Sequence, residues 1–407
     1  MWRTHRFLRI TGWDSWLGFW VFQPYVVYLG EHTHGLEPTS LELNQVTTSH
    51  YKILSSVIGS AEIARDKIFY SYTHSINGFV TVLDEEEAVQ LAKMGLFLPK
   101  QSGKRQGLGK TPSSQTLIPV FGRNQRAFRM KGMVPFHQGG AESVKVEMGD
   151  EFHCSRKLIG ARYLNKGLAA SVGDQLNSSL PPSLSTVRDL DGHGSHTLST
   201  AAGNFVLGAN VFGHGNETAS GGSPAARVAA YKVCWPEVGD GACMDADILA
   251  TFDAAISDGL DVLSLSIGGM PAEYFEDGIA IGSFHAVKNG ITVVASAGNY
   301  GPTPGTMSNV APWIFTIGAS TVDSAFTSYI TLGNKKKIEG MSLSATILLR
   351  GKYYPLITGA SARLDDVSEV DANLCEIDSL DPRQAKGKIV VCFQGGNGKT
   401  ENGVAAL

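Results

Sequence analysis

The sequence predicts an α/β protein whose central domain is a parallel β-sheet with helices on both faces. Strand-like and helix-like segments alternate between residues 151 and 340, which is typical of parallel strands joined by crossover helices. Three runs rich in apolar residues, at 226–233, 261–267 and 291–295, have the composition of buried strands. The 407 residues allow two or three domains, and a chain that is 43% hydrophobic and 18% charged has enough apolar residues for a large core.

Residues 25–100 form a small α+β unit in this interpretation. The predicted elements are strands at 25–29, 67–72 and 79–83, and helices at 41–58 and 85–94. Asp84 precedes the second helix, whose first turn is acidic, and both features favour a helix N-terminus. Asn77-Gly78 is the strongest turn signal in the unit and predicts a tight turn before the last strand.

The central domain, residues 149–340, should present its site at one edge of the sheet. The predicted elements are strands at 226–233, 261–267, 291–295 and 313–317, and helices at 245–258 and 275–288. Sites in parallel sheets lie beyond the carboxyl ends of the strands. Residues 266–268 and 296–299 stand at such ends, so we expect a cleft there.

Two sequence blocks indicate the chemistry. The first is Asp-Gly-His-Gly-Ser-His-Thr at 191–197, just before a helical run at 198–202, and the second is Ser-Ala-Gly-Asn at 296–299. A single Gly-His-Gly would be a surface loop, and a single Asn an ordinary turn. Together the blocks resemble the histidine and oxyanion blocks of the subtilisin-like serine proteases.

The resemblance implies roles for individual residues. His193 would be the general base, since free histidine has a pKa of about 6.5, and Asn299 would donate to the oxyanion. His196 corresponds to a second, structural histidine. Ser266, Ile267 and Gly268, with Ser296, Ala297 and Gly298, would line an extended peptide substrate by β-augmentation. The resemblance implies no metal and no organic cofactor.

The flanking segments resemble further parts of plant subtilases. Residues 25–100, through Tyr-Ser-Tyr at 70–72 and Ile-Asn-Gly-Phe at 76–79, resemble their inhibitor-type propeptide. Residues 341–407, through the segments at 354–357 and 386–392, resemble the start of their protease-associated domain, which is β-rich and here truncated. The expected partners are therefore an extended peptide or protein substrate, the chain's own propeptide domain and other subtilases.

The family's catalytic aspartate is missing from its expected place before the histidine. It belongs to an Asp-Thr-Gly-Val-Trp-Pro-Glu-Ser motif, yet residues 101–148 are basic, aperiodic and without aspartate. Codons allowed for residues 117–126, regrouped from the third base, translate as Asp-Thr-Gly-Val-Trp-Pro-Glu-Ser-Lys. In the same frame Met130 followed by Lys131 forces a glutamate. We interpret 101–148 as a frame-shifted segment, from a gene-model error, a splice variant or a pseudogene lesion; a divergent linker is the alternative.

The nucleophile is expected beyond Leu407, in a Gly-Thr-Ser block that follows the protease-associated domain in this family. Ser195 and Ser296 hold other positions in their motifs and are not candidates. We therefore expect the chain to have little or no peptidase activity. Two alternatives remain open: the propeptide-like unit inhibits active subtilases in trans, or no stable protein accumulates because the sheet has unpaired edges.

Residues 1–24 are interpreted as an atypical leader, and the family implies secretion to the apoplast or cell wall. The sequons at Asn177 and Asn216 fit a secreted glycoprotein. A net charge of −4 argues against nucleic acid as a partner, and no apolar run is long enough to cross a membrane.

The chain has five cysteines and no C-x-x-C spacing, so a zinc site is not expected. Cys234 with Cys243, and Cys375 with Cys392, are candidate disulfides. Cys154 is left over, and the frame-shift hypothesis accounts for this because its family partner would fall within residues 101–148.

Overall fold

The computed structural model describes most of the chain from Gln23 onward. The described residues are 23–35, 37–94, 103–105, 120–121, 144–145, 151–152, 154–172, 184–235, 242–321, 325–344 and 351–393. Nearly all of the expected leader, most of the segment 101–148 and the sequon at Asn177 lie outside them.

The N-terminal domain is a three-stranded antiparallel sheet with spatial order β1-β3-β2 and three helices. Its elements are β1 (Gln23–Glu31), α1 (Ser40–Ile58), α2 (Ala61–Lys67), β2 (Ile68–Tyr72), β3 (Ile76–Leu83) and α3 (Glu85–Lys93). Capping boxes fix the starts of α1, through Thr39 and Glu42, and of α3, through Asp84 and Glu87. The domain begins two residues before the boundary predicted from the sequence.

Both faces of this sheet are buried. Tyr25, Val27, Phe79 and Leu83 pack with apolar residues of the three helices in a core of the domain's own. The alternate positions, which side-chain alternation along a strand sends to the other face, join the core of the central domain. They are Val26, Tyr72, Ile76 and Val80.

The predicted turn at Asn77-Gly78 is wrong, because both residues lie inside β3. The chain reverses instead at residues 73–75. Gly78 is needed for close strand approach: a Cβ there would lie 2.5 Å from the carbonyl oxygen of Val27 on β1. The sequence signal of Gly78 was therefore interpreted as a turn, although this glycine permits two strands to pack closely.

The central domain alternates strands and helices, and its parallel pairing confirms the predicted α/β class. Residues 101–148, which precede it, contribute β4 (Gly103–Arg105), β5 (Val120–Phe121) and β6 (Val144–Lys145). Its own first elements are β7 (Glu151–Phe152), β8 (Leu158–Tyr163), α4 (Lys166–Val172), α5 (His193–Ala202), β9 (Val206–Val211) and β10 (His214–Ala219). The next are β11 (Val228–Lys232), β12 (Cys234–Trp235), β13 (Ala242–Met244), α6 (Asp245–Ser257), β14 (Val262–Leu265), α7 (Gly278–Lys288), β15 (Thr292–Ser296) and β16 (Phe315–Ile317).

Strands β14, β15 and β16 are parallel neighbours, with the short β5 antiparallel on the far side of β14. Strands β8 and β11 form a separate parallel pair, and β9 with β10 an antiparallel hairpin that the sequence did not suggest. Strand β4, from residues 101–148, pairs with β13.

Three predicted element starts are corrected by local chemistry. Helix α7 starts at Gly278 rather than 275, because the Asp277 side chain caps it by accepting from the Ile279 amide. Trp313 precedes β16, since its indole donates to the carbonyl of Ala280. The helix predicted at 198–202 starts at His193 itself.

The C-terminal part consists of small units. Strands β17 (Thr327–Thr331) and β18 (Lys337–Met341) form a hairpin. It is followed by β19 (Leu356–Thr358), a 3-10 turn at Ala360–Ala362, α8 (Glu369–Asn373), α9 (Pro382–Ala385) and β20 (Ile389–Val391), with β19 parallel to β20.

Disulfides join Cys234 to Cys243, across β12 and β13, and Cys375 to Cys392, the same pairs that the sequence suggested. Cys154 belongs to neither. In the described part of the chain no helix combines the length and apolar character needed to cross a bilayer.

Helices α6 and α7 form a closely packed pair inside the largest core cluster. Gly282 on α7 lies against the ring of Phe252 on α6, and a Cβ at this glycine would overlap the ring. The glycine therefore sets how near the two helices approach.

We predict that Gly282→Ala lowers the free energy of unfolding by about 1–3 kcal/mol, the usual cost of overpacking a core. Denaturant unfolding monitored by circular dichroism measures this. Gly318→Ala is the matched control, because nothing lies within 4 Å of a Cβ there. Equal stability of the two variants would contradict the close-packing account.

Candidate active site and inhibitor interface

The segment before α5 is organised by Asp189, which sequence reasoning missed. Its carboxylate accepts hydrogen bonds from the amides of Gly192 (2.8 Å) and Ser195 (2.6 Å), so it caps the start of the helix. Gly192 has φ 100°, a left-handed conformation that favours glycine. An aspartate shortly before a Gly-His-Gly block was the available signal. Burial raises its pKa, but these amide hydrogen bonds outweigh that effect and lower it overall.

His193 occupies the first turn of α5 and is half-buried. Burial lowers the pKa of its imidazole, against the opposing effect of Asp191, so the ring is neutral at neutral pH. Its Nδ1 atom is buried and has no hydrogen-bond partner among the described residues. A neutral imidazole with a vacant second nitrogen can accept a proton but is not oriented by a carboxylate.

The two predicted strand-end segments do come together. Ile267 follows β14, Ser296 ends β15, and the Ser296 hydroxyl lies 3.4 Å from the Ile267 carbonyl oxygen. Gly268 lies against Gly298, since a Cβ on Gly268 would be 3.2 Å from the Gly298 Cα. Asn299 is exposed at this edge. The structure does not test whether His193 and Asn299 act together, so their relation stays a prediction.

Asn309 joins the two strand ends at this edge, a role that no motif in the sequence indicates. Its buried side-chain amide donates to the carbonyl of Ile267 (2.7 Å) and to that of Ser296 (2.8 Å). Its φ of 57° is left-handed, a conformation that asparagine tolerates better than most residues. One side chain thus fixes the spacing of the two strand ends.

A cavity of about 560 Å³ lies between α5 and the β8–β11 pair. Leu158, Val187, Leu198 and Ala230 contribute to its lining, but neither His193 nor Asn299 does. The cavity reaches Asp189 and Ser195, on either side of His193 in the sequence, but not the strand ends at Ile267 and Ser296.

Comparison with known proteins agrees with this geometry. The sequence model of the Subtilase family matches residues 164–404, more than half of the chain. The chain belongs to the subtilase family. The Peptidase inhibitor I9 model matches residues 24–95, so the N-terminal domain is an inhibitor domain of that type.

Similar curated proteins come from plants. The chain is 48% identical to the subtilisin-like proteases SBT5.3 and SBT5.4 of Arabidopsis thaliana, and 45% identical to a subtilisin-like protease of Glycine max. Each match covers 94% of this chain but 52% of the relative. The chain therefore spans about half the length of these relatives.

In this subtilase, the inhibitor domain contacts α6 through Asp247. The carboxylate accepts from the Tyr70 hydroxyl (2.8 Å) of the inhibitor domain and from the amides of Gly167 (2.8 Å) and Leu168 (3.1 Å) of α4. Burial raises the pKa of Asp247 to about 7, while these donors act in the opposite direction. Three parts of the chain meet at one carboxyl group.

A second carboxylate, Asp253, accepts from the turn between β2 and β3. Four successive backbone amides, at residues 73–76, donate to it over 2.7–3.2 Å. Burial raises its pKa, but the bond from His74 and these amides outweigh that effect and lower it overall. Asp253 is 5% exposed, so the backbone amides of the turn supply the hydrogen bonds that water would give an exposed carboxylate.

Further polar contacts extend this interface to α7. The Tyr28 hydroxyl lies 2.8 Å from Nε2 of His285, whose pKa is lowered by burial. Lys288 pairs with Glu31 at the exposed rim. The interface is thus apolar at the centre, with buried acceptors in α6 and one exposed ion pair at the edge.

We predict that Asn309→Ala lowers the free energy of unfolding by about 2–4 kcal/mol. Two carbonyl groups lose their donor, and alanine must adopt a left-handed conformation. Denaturant unfolding measures the loss.

Asn309→Gly is the matched variant, since it keeps the backbone conformation but loses the same hydrogen bonds. It should recover about 1 kcal/mol relative to Asn309→Ala. Wild-type stability in Asn309→Ala would refute the bridging role.

Proposed function

We propose that the chain derives from a secreted subtilisin-like serine endopeptidase and that it does not itself catalyse proteolysis. In an active endopeptidase of this kind, the residue equivalent to His193 would remove the proton of the serine hydroxyl that attacks the scissile carbonyl. Asn299 donates to the resulting oxyanion, and a carboxylate at Nδ1 of His193 stabilises the imidazolium. The peptide lies along Ser266, Ile267 and Gly268 in an extended conformation.

One observation carries the proposal: the buried Nδ1 of His193 has no partner among the described residues. In a catalytic triad this nitrogen donates a hydrogen bond to the aspartate carboxylate. Residues 101–148, where that aspartate is expected, contain no aspartate. Loss of one triad member leaves only residual catalysis.

The same proposal includes secretion, glycosylation and the start of a protease-associated domain within residues 341–407. Two disulfides fit an oxidising compartment. Asn216 and Thr218 of one sequon are exposed on β10, where an oligosaccharide could be attached.

We predict that the purified chain neither hydrolyses fluorogenic peptides above the uncatalysed rate nor reacts with a fluorophosphonate. A version with residues 101–148 in the restored frame, continued through a Gly-Thr-Ser block, should do both. In that version His193→Ala should lower kcat about 10⁴–10⁶-fold and Asn299→Ala about 10²–10³-fold. Peptide hydrolysis and reagent labelling measure these effects.

Fluorophosphonate-sensitive hydrolysis by the chain as given would overturn its inactivity. An unchanged kcat in His193→Ala would show that His193 is not the general base. Sequencing the transcript across the codons for Phe97 to Cys154 and past Leu407 separates an annotation error from a real variant product.

A second function is inhibition of active subtilases in trans by the inhibitor domain. The domain has a core of its own, and its second face is a recognition surface for helices α6 and α7. An active relative that presents equivalent helices would offer the same surface.

We predict that residues 23–95, folded as judged by circular dichroism, inhibit an active plant subtilase at micromolar concentration or below. Tyr70→Phe should weaken inhibition about tenfold or more, because a hydroxyl donating to a buried carboxylate is lost. Glu42→Gln, on the exposed end of α1, is the control and should leave inhibition unchanged. Absence of inhibition at micromolar concentration would eliminate this function.

A further inference from the structure

The turn between β2 and β3 is held on two sides by different parts of the chain. Its amides, at residues 73–76, all point at the Asp253 carboxylate on α6. The carbonyl groups of Tyr72, Thr73 and Ile76 point back into the inhibitor domain. There they meet His32 and His34, which follow β1.

The histidine contacts are specific. Nε2 of His32 donates to the carbonyl of Ile76 at 2.9 Å and lies 3.2 Å from that of Tyr72. Nε2 of His34 donates to the carbonyl of Thr73 at 2.9 Å. The two carbonyls that receive the shorter bonds therefore belong to the first and last residues whose amides bind Asp253.

The two imidazole rings also support each other. They stack with centroids 4.6 Å apart and planes 17° from parallel. Nδ1 of His34 lies 2.9 Å from the carbonyl oxygen of Gly35. Burial, and then the neighbouring His34, lower the pKa of His32, so His32 is a neutral donor through Nε2.

Converging amides are an uncommon backbone arrangement with a cost. Successive N–H groups that point at one anion form a concave anion site, and their dipoles repel one another when the anion is absent. The carbonyls on the opposite side need donors of their own. The turn therefore requires an anion for its amides and donors for its carbonyls. The His-Thr-His segment at 32–34 supplies those donors.

We propose that His32 and His34 are positioning residues that hold the turn in a carboxylate-binding conformation. The inhibitor domain thereby recognises an acidic side chain presented by a helix of its partner catalytic domain, the position that Asp253 fills here. This inference gives the chemistry of the partner surface and rests, for its biological meaning, on the inhibitory function proposed above.

Hydrogen exchange of the intact chain, read by mass spectrometry on peptides that cover residues 68–83, tests the proposal. Asp253→Asn places an amide donor against the converging N–H groups and should speed exchange at 73–76 at least tenfold. The double variant His32→Ala/His34→Ala should speed it about tenfold as well. Adding Asp253→Asn to that double variant should then change exchange by less than threefold, because one contact depends on the other.

Matched variants separate positioning from general stability. Thr33→Ala alters the exposed residue between the two histidines and should leave exchange unchanged. Replacing both histidines by glutamine retains an N–H donor and should restore at least part of the protection. Exchange in α3 and in β14 must stay at the wild-type level, which shows that the variants are folded.

The proposal is overturned if the double alanine variant exchanges within twofold of wild type while Asp253→Asn does not. It is also overturned if the two effects multiply as for independent sites. Because this readout concerns a contact within one chain, it holds or fails separately from inhibition in trans. A chain that inhibits nothing in trans can still show the coupling.

Discussion

Buried carboxylates on α6 are the constraint on which the contact between the two domains depends. An isolated ionised carboxylate costs several kcal/mol to bury, and that cost is offset only when donors surround it. Asp247 obtains its donors from α4 and from Tyr70, and Asp253 obtains its donors from the turn at residues 73–76. Helix α6 therefore completes its hydrogen bonding only when the inhibitor domain is in place.

The apolar contacts follow the same arrangement. The inhibitor sheet has one face for its own helices and one for α6 and α7, as the alternation of side chains along β1 and β3 requires. Within the central domain, α6 is buried along most of its length, and it packs against α7 at Gly282. Two domains that are separate in sequence thus share one core cluster.

Local features of the fold could be predicted from the sequence, whereas most contacts between distant segments could not. The helix starts at Ser40 and Glu85 have capping signals, and the runs that became β11, β14 and β15 are apolar enough to identify as buried strands. The turn at residues 73–75 was missed because Gly78 serves a neighbouring strand rather than a turn. The spacing of apolar residues in the sequence does not indicate the contact between Gly78 and β1.

The candidate site divides in the same way. The blocks around His193 and Asn299 could be identified because the residues of each are adjacent in sequence. Asn309 could not, since its role comes from where its side chain reaches after folding. Asp189 was overlooked although it stands three residues before Gly192, one of its partners. The vacant Nδ1 of His193 was implied by the missing aspartate, but its burial is a property of the fold.

The covalent connection between the inhibitor domain and α6 has a thermodynamic consequence. While the chain is unbroken, the two surfaces meet at an effective concentration that the covalent connection sets, whatever the concentration of the protein in solution. A single cut after Lys93, where α3 ends, would turn the same contacts into a bimolecular equilibrium. Dilution would then separate the inhibitor domain from α6 without any change in pH, ligand or sequence. Whether the fraction of bound inhibitor domain depends on protein concentration is therefore set by one peptide bond.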